Sequence, residues 1–244
     1  MSEQHIFYSD LLIIIGKVVT GSSFLPIVIA IWKKNSFIKP IKLIAIYLLA
    51  LIGSNLIEQA FIWSSGEHYY IFWKPILDTL QITNTNFLNI IGRLIDYIFV
   101  GWIFSFGFKP PLDKQIKQIS WGLIPLAILV YFFVDGFRTY GTVNAILNRT
   151  YLVAVPVLYF WNLFNSSPHL SLWRNPFFLF GLGLFLPNLV GLMMSFIGDK
   201  LNETDYVAFV KISIFRNCLT ILAQFLFAYA FYQARYAKYL VKVQ

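Results

Sequence analysis

Four clusters of polar side chains stand inside apolar stretches of this chain, and each could do chemistry. Arg93 and Asp96, with Asn86 and Asn89 before them, recur at steps of three, four and three. That spacing puts all four on one face of a helix. Ser213, Asn217, Thr220 and Gln224 follow the same rhythm, with Arg216 beside them. Asn55, Glu58 and Gln59 form a third group, and Asn144, Asn148 and Arg149 a fourth. Guanidinium groups hold carboxylate or phosphate oxygens in pairs, and a carboxylate one helical turn from an arginine can neutralise it or handle a proton. The expected ligand-binding residues are Asn55, Glu58, Asn89, Arg93, Asp96, Arg149, Arg216 and Asn217.

The surroundings make these clusters unusual. The chain has 244 residues, of which 58% are hydrophobic and 12% charged, and its mean hydropathy is +0.68. A soluble domain is about half apolar and about a quarter charged. Disorder, a coiled coil and an ordinary soluble domain are excluded, and an integral membrane protein is indicated. A helix crosses the hydrocarbon with about 20 apolar residues. Seven windows qualify: 11–32, 43–63, 87–108, 119–137, 145–164, 177–197 and 207–232. The expected fold is a single all-α domain of seven transmembrane helices over residues 1–244. The connection 64–86, with Tyr69, Tyr70, Phe72, Trp73 and Lys74-Pro75, reads as a segment lying in the interface.

Loop charges set the direction. One set of loops holds Lys33, Lys34, Lys39, Lys42, Lys109, Lys114, Lys117, Arg174, Arg235, Lys238 and Lys242, with Asp113 as its only acid. The other set holds Lys74, Arg138 and Lys200 among Glu3, Asp10, Glu67, Asp78, Asp135, Asp199, Glu203 and Asp205. The positive-inside rule then places the N-terminus outside and the C-terminus inside. The net charge of +8 follows from this topology and from contact with anionic lipid, so nucleic acid is not an expected partner. The acidic start Met1–His5 argues against a cleaved signal peptide, and the tail 233–244 is too short for a catalytic domain.

Within the spans stand five cations, Lys17, Arg93, Arg149, Lys211 and Arg216, and two carboxylates, Glu58 and Asp96. All fall in the outer half or near the midplane. A lipid-facing charge costs at least about 2.5–3.5 kcal/mol at the centre of a span, so these faces turn inward. They would line an outward-facing cationic pocket built mainly on the second, third, fifth and seventh spans. Its surplus of positive charge favours an anionic small molecule. A closed structural network, with Arg93 on Asp96 and Glu58 on Arg216, is the competing arrangement.

Pro26, Pro125, Pro156 and Pro187 fall inside spans and would kink them; Gly191 and Ser195 are a small pair suited to close helix approach. The lone Cys218 and the loop histidines His5, His68 and His169 offer no metal site, and no nucleophile elbow or phosphate loop appears. No cofactor and no catalytic site are expected.

Three resemblances bear on function. Arg93-Leu94-Ile95-Asp96-Tyr97 resembles the Arg-x-x-Asp-aromatic segment of microbial rhodopsins. That family implies a Schiff-base lysine deep in the last span; Lys211 stands near its outer end, so retinal is not expected. Pro26 and Pro156, each followed nine residues later by Asn-Ser (Asn35-Ser36 and Asn165-Ser166), resemble the three-plus-one-plus-three repeat of PQ-loop and SWEET-type transporters. Ile27 and Val157 replace the glutamine after each proline. The whole layout, with Trp173-Arg174-Asn175-Pro176-Phe177-Phe178 feeding a glycine-rich sixth span, is similar to uncharacterised bacterial seven-helix proteins and to the seven-helix input modules of membrane sensor kinases. This implies a receptor-like sensor of the bacterial inner (cytoplasmic) membrane, signalling through a separate cytoplasmic or membrane partner. A small-solute transporter and a structural subunit of a larger membrane complex are the alternative expectations.

Overall fold

A computed structural model describes residues 3–65, 70–80, 85–136, 142–165 and 171–241, all of them helix or connecting turn. Ten α-helices follow in order: α1 (Glu3–Ser22), α2 (Phe24–Lys33), α3 (Lys39–Ser64), α4 (Tyr70–Leu80), α5 (Asn89–Ser105), α6 (Leu112–Val130), α7 (Thr142–Asn165), α8 (Pro176–Thr204), α9 (Tyr206–Tyr232) and α10 (Ala237–Val241). Among the described residues, six rods are long and apolar enough to cross a membrane: Ile6–Ser36, Lys39–Ser64, Leu112–Asp135, Thr142–Asn165, Pro176–Thr204 and Tyr206–Tyr232. An outward-facing apolar belt, including Trp63, Phe133 and Trp161, covers their surfaces and suits lipid tails and the aromatic interface layer.

The expected third span is the exception. Its helix, α5, has 17 residues, roughly 25 Å at 1.5 Å per residue against a hydrocarbon layer of about 30 Å. It also carries Arg93 and Asp96. Its position explains how it tolerates both features: α5 packs against α3, α6 and α7, and Tyr97, Val100, Ile103 and Phe104 are sealed from the surface. Two expected boundaries also move. The expected fourth span begins at Leu112, where Asp113 favours the helix N-terminus, and α8 runs on to Thr204.

The first rod breaks between α1 and α2 for a definable reason. Pro26 has no N–H to give to the carbonyl of Ser22, four residues back, and α1 ends at Ser22. Ser22 and Ser23 turn their hydroxyls onto the carbonyls of Val19 and Thr20, at 2.8 and 2.7 Å. Three other helices begin on identifiable caps. Asp135 accepts from the backbone N–H groups of Val143 and Asn144 at 3.0 and 2.9 Å. Asn175 accepts from Phe177 and Phe178 at 3.0 and 3.1 Å, with Pro176 in the first turn. Asp205 accepts from Ala208 at 3.0 Å. The Trp173–Phe178 stretch is thus the start signal of α8.

Between α3 and α5 lies the short helix α4, where an interfacial segment was expected. Trp73 meets Phe61 of α3 edge to face, centroids 5.3 Å apart. Glu67, His68, Tyr69, Arg138, Ser166, His169 and Lys242 lie outside the described residues, as do the side chains of Tyr70 and Phe72.

Packing is uneven along the bundle. At the end bearing the basic loops the helices close on an aromatic core. Phe180 touches Tyr47, Phe104 and Phe227 with ring centroids 5.8, 5.8 and 5.3 Å apart, and Phe104 meets Tyr159 at 5.4 Å. Lipid tails are as apolar as leucine, so helices associate here through such close packing rather than through burial itself. At the opposite end α1, α3 and α5 loosen, while α7, α8 and α9 keep buried residues such as Asn144, Met194 and Val210. No residue from 6 to 22 is buried, none of α3 is buried beyond Leu48, and none of α5 before Asp96. The polar clusters sit in the space this leaves.

Candidate functional site

Among the described residues, three cavities stand between the middle of the bundle and its looser end, and neighbouring ones share lining residues. The first, about 240 Å³, runs among α3, α8 and α9. The second, about 230 Å³, lies among α3, α5 and α7 and shares Leu51, Asn55 and Asp96 with the first. The third, about 340 Å³, lies among α7, α8 and α9 and shares Ala145 and Arg149 with the second.

Asp96 sits where the first two meet. Tyr47 of α3 donates its hydroxyl to Oδ1 at 2.9 Å, and Asn148 of α7 donates its amide to Oδ2 at 3.0 Å. The carboxylate therefore ties three helices together. Two neutral donors from other helices hold its oxygens, and Arg93, one turn earlier on α5, adds its electrostatic attraction. Arg93 lines the same second cavity together with Asn89 and Asn55.

Arg149 is held from α8. Its Nη1 donates to the carbonyl of Gly191 at 2.5 Å and to the hydroxyl of Ser195. A Cβ on Gly191 would stand 3.1 Å from the Arg149 Nε. The small pair read from the sequence as a helix contact is thus a notch for a guanidinium. Arg149 lines the second and third cavities, and Arg216 lines the third with Ser213, Ser195 and Asp199. Two guanidiniums from different helices face one space, with an exposed carboxylate at its rim.

Glu58 accepts from the hydroxyl of Thr85 at 2.7 Å. It borders none of these three cavities, nor does Asn217, which is half-buried on α9. Lys17 and Lys211 are exposed, and the Lys211 ammonium stands over the Tyr8 ring at 4.9 Å. Those two lysines leave the cavity charge to Arg93, Arg149 and Arg216, against Asp96 and Asp199. The large positive surplus expected from the sequence is correspondingly reduced.

Sequence reasoning passed over Tyr47, which sits in an apolar run with no polar neighbour to flag it. It also left Asn148 out of the expected site, although its spacing from Asn144 was visible. The first cavity owes part of its polarity to a proline. Pro187 has no N–H for the carbonyl of Gly183, and both residues line that cavity. Among the described residues no cluster of His, Cys, Asp and Glu could hold a metal ion. No known protein family, curated protein or solved structure matches this chain.

Proposed function

We propose that this chain is a receptor-like, small-molecule-binding membrane protein. In this reading α5 makes the seventh crossing, completed by the 3₁₀ turn Asn86–Leu88 ahead of it. The basic loops face the cytoplasm, the looser end faces outward, and a separate partner reads the protein's state inside.

The observation that carries the reading is the contrast between the two ends. Neighbouring cavities with polar residues in their shared lining stand toward one end, over a closed aromatic core at the other. Two of the three, at about 240 and 230 Å³, fall below the ~300–1,000 Å³ usual for ligand sites, and the third, at about 340 Å³, lies within it. A binding module needs access from one side only, and the packing around Phe104 and Phe180 supports that. One feature favours the transporter alternative: Pro187 lies in α8 at the first cavity, where a rocking helix would bend.

Cysteine accessibility tests the proposal. In a Cys218→Ser background, Asn55→Cys probes the first two cavities and Thr142→Cys the rim of the third. An impermeant maleimide should label both in intact cells and neither in inverted vesicles. Labelling of Asn55→Cys from both sides would favour transport. Labelling only from the basic-loop side would overturn the topology, and no labelling of Asn55→Cys from either side would overturn the pocket.

A further inference from the structure

The second cavity carries both signs of charge, which narrows what it can hold. Its wall includes Arg93, Arg149 and Asp96, with Asn55, Asn89 and Asn148 between them. Arg93 and Asp96 stand one turn apart on α5, so a single rigid helix presents a guanidinium and a carboxylate to the same space. Their surroundings hold them in place. Asp96 is positioned by Tyr47 and Asn148, and each carboxylate oxygen can accept more than one hydrogen bond. Arg149 is anchored through one nitrogen on Gly191 and Ser195, which sets the plane of its fork.

A simple anion in this space is drawn to the guanidiniums and repelled by Asp96. A simple cation meets the reverse. A zwitterion whose charges are separated by one carbon matches both poles, and in a low-dielectric setting the match is worth more than in water. The adjoining first cavity adds a second criterion. It begins at Asp96, and its wall sets Leu48, Ile52, Leu152, Leu184 and Phe227 beside Asn188, Thr220 and Gln224, a mixed lining whose larger share suits an apolar group. Asp96 lines both spaces, so a ligand centred on it can reach into each.

We infer that the two cavities bind an α-amino acid with an apolar side chain, or a zwitterion built like one. Its carboxylate lies on Arg93 and Arg149, its ammonium on Asp96, and its side chain in the first cavity. This rests on the proposed reading of the looser end as a binding pocket and names its ligand class.

The test compares three isosteres on the detergent-solubilised protein. L-leucine carries both charges, 2-hydroxy-4-methylpentanoate only the negative one, and 3-methylbutylamine only the positive one. The remaining standard L-amino acids are screened beside them by thermal shift and calorimetry. The expected result is that an apolar amino acid raises the melting temperature and binds at least tenfold tighter than its hydroxy acid and amine counterparts. Asp96→Asn should erase the advantage over the hydroxy acid, and Arg93→Gln should weaken amino-acid binding. The three-ligand comparison needs no variant, so it stands if a variant fails to fold. A hydroxy acid that binds as well as the amino acid overturns the zwitterion while leaving an anion-binding pocket in place. No shift by any amino acid also overturns it; the broader reading falls separately, on cavity labelling.

Discussion

Replacing Tyr47 by phenylalanine should remove one bond from the Asp96 junction and little else. The ring keeps its contacts with Phe99 and Phe180, at 6.2 and 5.8 Å between centroids, so the change isolates a hydroxyl donating at 2.9 Å to a carboxylate oxygen. A hydrogen bond between neutral side chains inside a membrane is worth about 0.6 kcal/mol on average and reaches about 1.7. A charged acceptor roughly doubles the strength, which gives an expected loss of about 1–2 kcal/mol for Tyr47→Phe. Asp96→Leu should cost more, because it strands both the Tyr47 hydroxyl and the Asn148 amide without their acceptor. In the double variant the two losses should fall short of adding, with a coupling of about 1 kcal/mol. Unfolding in mixed micelles of mild detergent and dodecyl sulfate supplies all four corners of the cycle. A Tyr47→Phe protein within about 0.3 kcal/mol of the parent, or a coupling indistinguishable from zero on the scale of additive distant sites, would refute the junction as a stabilising contact.

Gly101→Ala should be severe. The added Cβ would stand 1.8 Å from the Ser120 hydroxyl and 2.8 Å from that of Tyr151, so α6 must back away from α5, at a cost of about 1–3 kcal/mol or more; a melting temperature equal to the parent's would show that α5 and α6 do not meet there. Asn175→Ala removes the acceptor for two N–H groups at the start of α8 and the amide that donates to the Tyr159 hydroxyl at 3.0 Å. It should lose about 0.5–2 kcal/mol, while Asn175→Asp, which keeps the cap, should recover part of that in the same unfolding assay.

Composition and periodicity were enough to establish an all-helical protein with apolar rods of membrane-crossing length, because a backbone in hydrocarbon must satisfy its own hydrogen bonds and helices do so within one segment. Pro26 marked a kink in the first rod, and the structure places it after Ser22, four residues before the missing donor. Periodicity likewise put Arg93 and Asp96 on one face of their helix, and the cost of exposing charge to lipid turned that face inward. What it could not supply was the facing surface. The sequence-stretch that brings Tyr47 to Asp96 reads as plain apolar helix, and Gly191 and Ser195 carry no mark that distinguishes a notch for Arg149 from a seat for a neighbouring backbone. The charge coupling of Arg93 and Asp96 could be read along one helix, whereas the donors that α3 and α7 bring to the carboxylate could not. The physical reason is that a helical repeat describes one cylinder at a time. Which cylinders adjoin, at what rotation and how far they part at one end depend on the fit of Phe104, Phe180 and Gly101 against partners remote in the chain. That fit exists only once the bundle has assembled, and it decided that Lys17 and Lys211 lie on the surface while Arg93, Arg149 and Arg216 line the cavities.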